Sequence, residues 1–334
     1  MVTGTTTYGD VNQRTAAYAA AQMLAHAEPV LVLSKAGAQK QMPMNKANVV
    51  KFRRPIPFPA ATTPLTEGVT PSAQKMLYED VTATMRQYGN PVEITDVVQD
   101  LAEDPVLRDA SQLCGEQAGA TIEAIIYGVV KAGTQVSYAN GTQRTDVNTP
   151  ITLSLQRLIT RTLKEQKAKK LTTILSASPN YGTRPIEAAF IAFAHTNCEG
   201  DIRNMAGFTP VAEYGQRQPI CPEEIGSVED VRYVLSPDLS SFADGGGTKA
   251  GSGVTMISTS GTSADVYPVI FVGKESYGLI PLKGKEAIVP MVVNMKPSAA
   301  DPMAQRGYVS WKTYFAAVRL NENWLMRAEV AATA

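Results

Sequence analysis

The chain has 334 residues, enough for one elaborate domain or two modest ones with a sizeable buried core. Apolar residues make up 44% and charged residues 19%, the balance of a packed chain and not of a disordered one. Lysine plus arginine and aspartate plus glutamate each number 31, so no net positive field is available to hold a polyanion by counterion release, which argues against a dedicated nucleic-acid binder.

Cys114, Cys198 and Cys221 show no C-x-x-C spacing, which argues against a disulfide framework and a structural zinc site and suits synthesis in a reducing cytosol. The opening residues lack the basic start and apolar core of a signal peptide, and no apolar run approaches the ~20 residues of a bilayer span, so neither secretion nor membrane insertion is expected. The neutral total hides three charged blocks: basic over residues 1–60, acidic over 93–123, and basic again over 157–170.

In chain order, Asn12 caps an Ala-rich helix to about residue 27, and Glu28-Pro29 stops it, so the first stretch reads as an arm. Residues 48–58 and 78–95 are extended, the second alternating Val81, Ala83 and Met85 inward against Thr82, Thr84 and Arg86 outward. The Pro-rich connector between them is far longer than a hairpin turn and predicts a protruding two-stranded loop. Asp104-Pro105 then opens a long helix over 105–132, about 40 Å in length. Its apolar side is read as Val106, Leu107, Ala110, Leu113, Cys114, Ala118, Ile122, Ile125, Ile126 and Val129. Thr149-Pro150 opens a second helix, with Ile151, Leu155, Leu158, Ile159 and Leu163 on one side and lysines at its end, where positive charge suits the dipole. From Ile186 onward strands are expected at 188–194, 231–235, 266–272, 287–294 and 314–320. The Gly- and Ser-rich stretch 240–264 is expected to be a mobile surface loop.

Catalytic motifs are thin. The glycines from Gly245 to Gly253 lack the G-K-[ST] ending of a phosphate loop, and no G-x-S-x-G elbow occurs. His195 with Cys198, Glu199 and Asp201 matches no ligand spacing, and a strand-end histidine capping the next turn is preferred to a Cys-His pair. The carboxylate pairs Glu103-Asp104, Glu223-Glu224 and Glu229-Asp230 are read as solvated caps, because sequence neighbours point in different directions. Arg53-Arg54 and the run 164–170 lack interleaved aromatics and read as charged surface or subunit contact, not a single-strand groove. No catalytic residue, metal or cofactor is implied.

An arm, a protruding loop, a very long helix and a mixed domain suit contact more than catalysis. The runs Leu65-Thr-Glu-Gly68 and Tyr88-Gly-Asn-Pro-Val-Glu-Ile-Thr-Asp96 resemble the signature of the tailed-bacteriophage major capsid proteins typified by coliphage N-four. The closing runs Arg306-Gly-Tyr-Val-Ser-Trp-Lys-Thr-Tyr314 and Leu320-Asn-Glu-Asn-Trp-Leu-Met-Arg327 are similar to that family's C-terminal strand pair. Ile191-Ala-Phe-Ala-His195, Asp201-Ile-Arg203 and Ile225-Gly-Ser-Val-Glu-Asp-Val-Arg-Tyr233 fall between them in the family's order.

The resemblance implies an α+β fold of the Hong Kong 97 type. Its parts are an arm over 1–46, an extended loop over 47–95, a peripheral domain over 96–175 with the spine helix at 105–132, and an axial domain over 176–290. Residues 291–334 form closing strands that return to the peripheral domain. It also implies self-assembly into hexamers and pentamers of an icosahedral head enclosing double-stranded DNA, with portal, scaffold and cement or decoration proteins as partners and the virion capsid as location. The expected inter-subunit contact places the basic arm with Arg53 and Arg54 on the acidic stretch of a neighbour, including Glu93, Asp96, Asp100 and Glu103. Three alternatives stay open: a bacterial nanocompartment (encapsulin-like) shell protein enclosing cargo protein, an α/β enzyme with a site near His195, and a virus-tail structural protein, separated by whether the assembly is closed or tubular.

Overall fold

The computed structural model describes residues 31–42, 48–97, 106–175, 183–215, 218–251, 254–282, 289–293 and 302–334. The expected arm helix at 12–27 and the cap at Asp104-Pro105 lie outside the described residues.

The 14-residue strand Arg306–Arg319 organises the first sheet. Gly307, Val309, Trp311, Thr313 and Phe315 alternate to its buried side, the two-residue period of a half-buried strand. Arg86–Thr95 pairs antiparallel with it in an unbroken register from Arg306↔Thr95 to Phe315↔Arg86. Val289–Val293 and Tyr277–Pro281 also pair with it antiparallel, and the short strand Ala38–Gln39 adds parallel to Tyr277–Pro281, making five strands.

The long helix Val106–Lys131 packs across this sheet. Ala110, Cys114, Ala118, Ile122, Ile126 and Val130 recur at every fourth position and are all buried, in one cluster with Ile94, Val309, Trp311 and Phe315. Leu113 falls off that stripe and is 64% exposed, correcting its assignment to the apolar side.

The second sheet has eight strands. Along it run Val136–Tyr138, Leu325–Val330, Tyr267–Val272, Thr183–Ala194, Val231–Leu235, Glu224–Val228 and Phe208–Pro210, with Leu171–Leu175 also paired to Thr183–Ala194. Its strands read as continuous apolar runs because both faces are covered. Ile191, Phe193, Val234, Ile270 and Val272 join the cluster under the long helix. Phe190, Ala192, Tyr233 and Phe271 face the other way, onto Leu155, Ile159 and Leu163 of the second helix and Ile151 just before it. That helix runs Leu153–Glu165, and its cap is Thr152, whose side chain accepts from the Leu155 amide; the sequence reading places the start at Thr149-Pro150. Leu158, assigned to its apolar side, is 42% exposed.

The closing strands part company. Arg306–Arg319 belongs to the five-stranded sheet, whereas Leu325–Val330 lies between Tyr267–Val272 and Val136–Tyr138 in the eight-stranded one. Of the strands in these two sheets, the reading of residue patterns misses Ala38–Gln39, Val136–Tyr138, Leu171–Leu175, Phe208–Pro210, Glu224–Val228, Tyr277–Pro281 and Leu325–Val330, the last reached only through the family resemblance.

Residues 240–264 do not form the expected free loop. Met256 and Ala264 are buried with Val147, Val266 and Ala331, and backbone bonds tie Gly246 to Ala264, Gly247 to Val147 and Ile257 to Ala332. Asp265 accepts from the amides of Asp244 and Thr259, and Asp244 accepts from the Ser260 amide. Gly246 is required there, since a Cβ would stand 2.2 Å from the Val147 carbonyl oxygen. Low complexity is not freedom in this stretch: the small residues permit close backbone approach. Residues 252 and 253 of the stretch lie outside the described residues. No helix among the described residues is long and apolar enough to cross a membrane.

Candidate assembly surface

The strands Val49–Pro55 and Tyr78–Thr84 form a separate two-stranded hairpin, in register from Val49↔Thr84 to Pro55↔Tyr78. Its base is fixed by Val50 and Ala83, buried with Met42, Ile280 and Ala316. The 22 residues from 56 to 77 that join the strands are all exposed. Among the described residues, eight of the thirteen exposed large apolar side chains lie on this hairpin and its connector: Val49, Ile56, Phe58, Leu65, Val69, Met76, Leu77 and Tyr78. So strong a concentration of apolar side chains on one protrusion, among the described residues, marks a candidate contact surface. The protrusion is legible in the sequence; its apolar side chains, which show no periodicity, are not.

Arg53 and Arg54 stand on the hairpin, each already engaged across it. Arg53 makes two bonds to Asp80, 2.8 and 3.0 Å, and Arg54 pairs with Glu79. The hydrogen bond from Arg53 holds the Asp80 carboxyl below its usual range. The hairpin surface is therefore zwitterionic and not simply basic. Sequence reasoning missed Glu79 and Asp80, although opposite charges that face each other across a hairpin register are the signal that would have found them.

The acidic stretch is not one surface. Glu93 is exposed and lies 3.4 Å from Arg306 across the sheet. Asp96 accepts from the Val97 amide beside it. Asp100 and Glu103 lie outside the described residues. Glu123, counted in the acidic block, is only 1% exposed and turned inward. One of its oxygens accepts from the amides of Val32 and Leu33, at 3.2 and 2.6 Å, and Tyr277 donates to the Leu33 carbonyl. Its other oxygen is buried without a partner, and burial pushes its pKa up to about 7. This carboxyl thus joins the long helix to the backbone at Val32 and Leu33.

The residues weighed for chemistry have structural partners. The His195 ring accepts from the Asn197 amide at 3.0 Å, capping the short turn that follows its strand, as the sequence reading prefers. Asp201 binds the Thr333 amide and hydroxyl, at 3.0 and 2.7 Å, pinning the residues after Leu325–Val330. Cys198 is buried beside it, and burial raises its thiol far above the range in which a thiolate forms. Among the described residues no group of three or more His, Cys, Asp or Glu side chains converges on a point. Of the carboxylate pairs read as solvated caps, Glu229 pairs with Arg157, Asp230 with Lys164 and Lys170, and Glu223 with Lys35. Glu224 corrects that reading outright: it is 5% exposed and held by the Tyr214 hydroxyl and the Ile220 amide, with Arg232 at 3.7 Å. Glu103-Asp104 lies outside the described residues.

What remains is a scaffold of two large sheets and a long helix, with most of the exposed large apolar side chains of the described residues on one protrusion. A family model described as phage capsid protein matches residues 78–278, more than half of the chain. The chain belongs to the phage capsid protein family. No curated protein matches its sequence. In fold, this capsid protein is similar to the capsid of Ralstonia phage GP4, with a TM-score of 0.64 over 91% of this chain and 90% of that one, at 9% identity. It is likewise similar to the cyanophage Pam1 capsid, with a TM-score of 0.62 over 92% of both chains at 12% identity. The head of Helicobacter pylori bacteriophage KHP40 matches with a TM-score of 0.57 over 88% and 87% of the two chains, at 9% identity. Its place is the virion capsid. At such identities the side chains have been replaced while the architecture has not, which is why residue patterns locate the sheets better than they locate contacts.

Proposed function

We propose that this chain is a major capsid protein of the Hong Kong 97 type, on the branch of coliphage N-four, and that hexamers and pentamers of it close the icosahedral head around double-stranded DNA. The observation that carries this is membership of the capsid family together with likeness to phage capsids over about nine-tenths of both chains. In this reading residues 1–46 are the arm, 47–95 the extended loop, 96–175 the peripheral domain with its spine helix, and 176–290 the axial domain. The portal, a scaffold and cement or decoration proteins are its partners.

The extended loop is the contact we assign first. A 22-residue connector with Ile56, Phe58, Leu65, Val69, Met76 and Leu77 exposed gains little by standing free, and burying each apolar side chain against a second copy contributes roughly 1.5–3 kcal/mol. The charged part of the proposal keeps Arg53 and Arg54 facing Glu93, Asp96, Asp100 and Glu103 of a neighbour, where rim charges set register and encounter rate more than affinity.

Electron microscopy and light scattering of the protein expressed alone, then with scaffold candidates, test the reading. Shells, hexamers or pentamers are expected. A species that stays monomeric under all conditions overturns it, and shells that admit a cargo peptide in place of a genome turn it toward the nanocompartment. Phe58→Ser with Leu65→Ser is expected to abolish closed shells while leaving the melting temperature of the unassembled protein unchanged.

A further inference from the structure

A cluster of cations gathers where the long helix ends, beside the 240–264 lobe and the edge of the eight-stranded sheet. Lys131 closes the helix, Arg144 comes from the segment between Val136–Tyr138 and the second helix, and Arg327 comes from the strand Leu325–Val330. Phe242 of the lobe lies between two of them, its ring centre 3.5 Å from the Arg144 guanidinium carbon and 3.9 Å from Lys131 Nζ. Lys131 also stands 5.0 Å from the Tyr127 ring.

Among the described residues one carboxylate, Glu329, is paired with this group. It is wholly buried and takes both Arg144 bonds, at 2.7 and 2.8 Å, with Arg327 Nε 3.0 Å from the same oxygen that Arg144 Nη2 reaches. Arg327 is 9% exposed, and its Nε lies off the line of a hydrogen bond to Glu329, so that buried N–H is unsatisfied. Arg327 also donates to the Lys131 carbonyl, and Lys131 Nζ donates to the Ser240 carbonyl at 3.2 Å. Those are neutral oxygens. Three cations against one carboxylate leave a surplus of two positive charges in a partly dry place, where repulsion is poorly screened. Burial, and then Arg144 and Arg327, lower the Lys131 pKa, as that crowding requires. The site stays open to solvent along the Arg144 side chain, which is 35% exposed.

We propose that Lys131, Arg144 and Arg327 form a seat for one phosphate group. The surplus matches the charge of a phosphate dianion; with the Arg144 Nε and Nη2 edge held by Glu329, the donors offered to it are Arg144 Nη1, the unsatisfied Arg327 Nε and the Lys131 ammonium. The Phe242 ring holds the two outer cations in place without neutralising them.

The test is calorimetric titration of the full chain with inorganic phosphate, against chloride at equal ionic strength. We expect saturable binding at one site per chain, with a dissociation constant on the order of a millimolar or tighter. Lys131→Met should weaken it at least about tenfold and Lys131→Arg should retain it, because the charge and not the shape of the lysine is needed. Lys131 is in no ion pair among the described residues, and the melting temperature of each variant in chloride checks that it is folded. No saturation, or an equal loss on Arg161→Met at an exposed basic position elsewhere, overturns the proposal. A short DNA duplex that competes with phosphate names the phosphodiester backbone as the source, and a duplex that does not compete names the free anion; each is a result that supports the seat, given dependence on Lys131.

Discussion

Glu123→Gln isolates the carboxyl that couples the long helix to the backbone at Val32 and Leu33. The wild-type group is buried in the core, gives one oxygen to the Val32 and Leu33 amides and leaves the other without a partner. Burial is the largest cause of its rise from 4.5 to about 7; the nearby Asp238 charge adds to it, while the two amides and Lys35 oppose it. Because the folded pKa lies above the unfolded one, the protonated form is the one the fold prefers. Its contribution is complete below about pH 4.5 and is lost as pH rises through 7. At ~1.4 kcal/mol per unit, the loss across that window is about 3 kcal/mol. A glutamine side chain at this position mimics the neutral acid and keeps an acceptor for both backbone amides at every pH. Denaturant unfolding of the unassembled protein at pH 5, 6, 7 and 8 should therefore show the variant gaining on wild type by roughly 2–3 kcal/mol between the first and last points. Parallel curves for the two proteins across that range would refute the assignment. A companion measurement, amide exchange at residues 32–36, should show wild type loosening there with rising pH and the variant unchanged.

Arg53→Glu with Arg54→Glu should cut shell yield in negative-stain micrographs with little effect on the melting temperature, and exchanging the charges across the hairpin, Arg53→Asp with Asp80→Arg, should not restore it. Recovery on exchange would show that the pair serves only the hairpin. Gly246→Ala drives a Cβ into the Val147 carbonyl and should cost about 1–3 kcal/mol, visible as new proteolytic cleavage within 240–264. Asp201→Ala removes both bonds to Thr333 and should cost about 1–3 kcal/mol, with faster amide exchange at residues 331–334.

Where physics is local, the sequence was sufficient. The four-residue recurrence from Ala110 to Val130 needs only a helix with one buried side, and the alternation at Val81, Ala83 and Met85 needs only a strand with one. The cap at His195 is likewise a matter of two neighbouring residues. The closing run Arg306–Tyr314 and the motif around Tyr88 proved to be the two partners of a single ten-residue register, a pairing neither run states by itself.

Long-range decisions were beyond it. Glu123 reads as surface charge because nothing within a few residues reveals that backbone amides some ninety positions away will close over it, and Glu224 because the fold of the 214–224 loop back onto it, which brings the Ile220 amide and the Tyr214 hydroxyl, is not written in any periodicity. The glycines of 240–264 read as freedom, since composition cannot distinguish a chain that moves from one that must approach another backbone closely. The separation of Arg306–Arg319 from Leu325–Val330 into different sheets, and the meeting of Lys131, Arg144 and Arg327 around Glu329, depend on strand order alone. Periodicity is written in the spacing of side chains along one element; burial and charge balance are set by whatever the rest of the chain brings to that element, and only the folded structure supplies it.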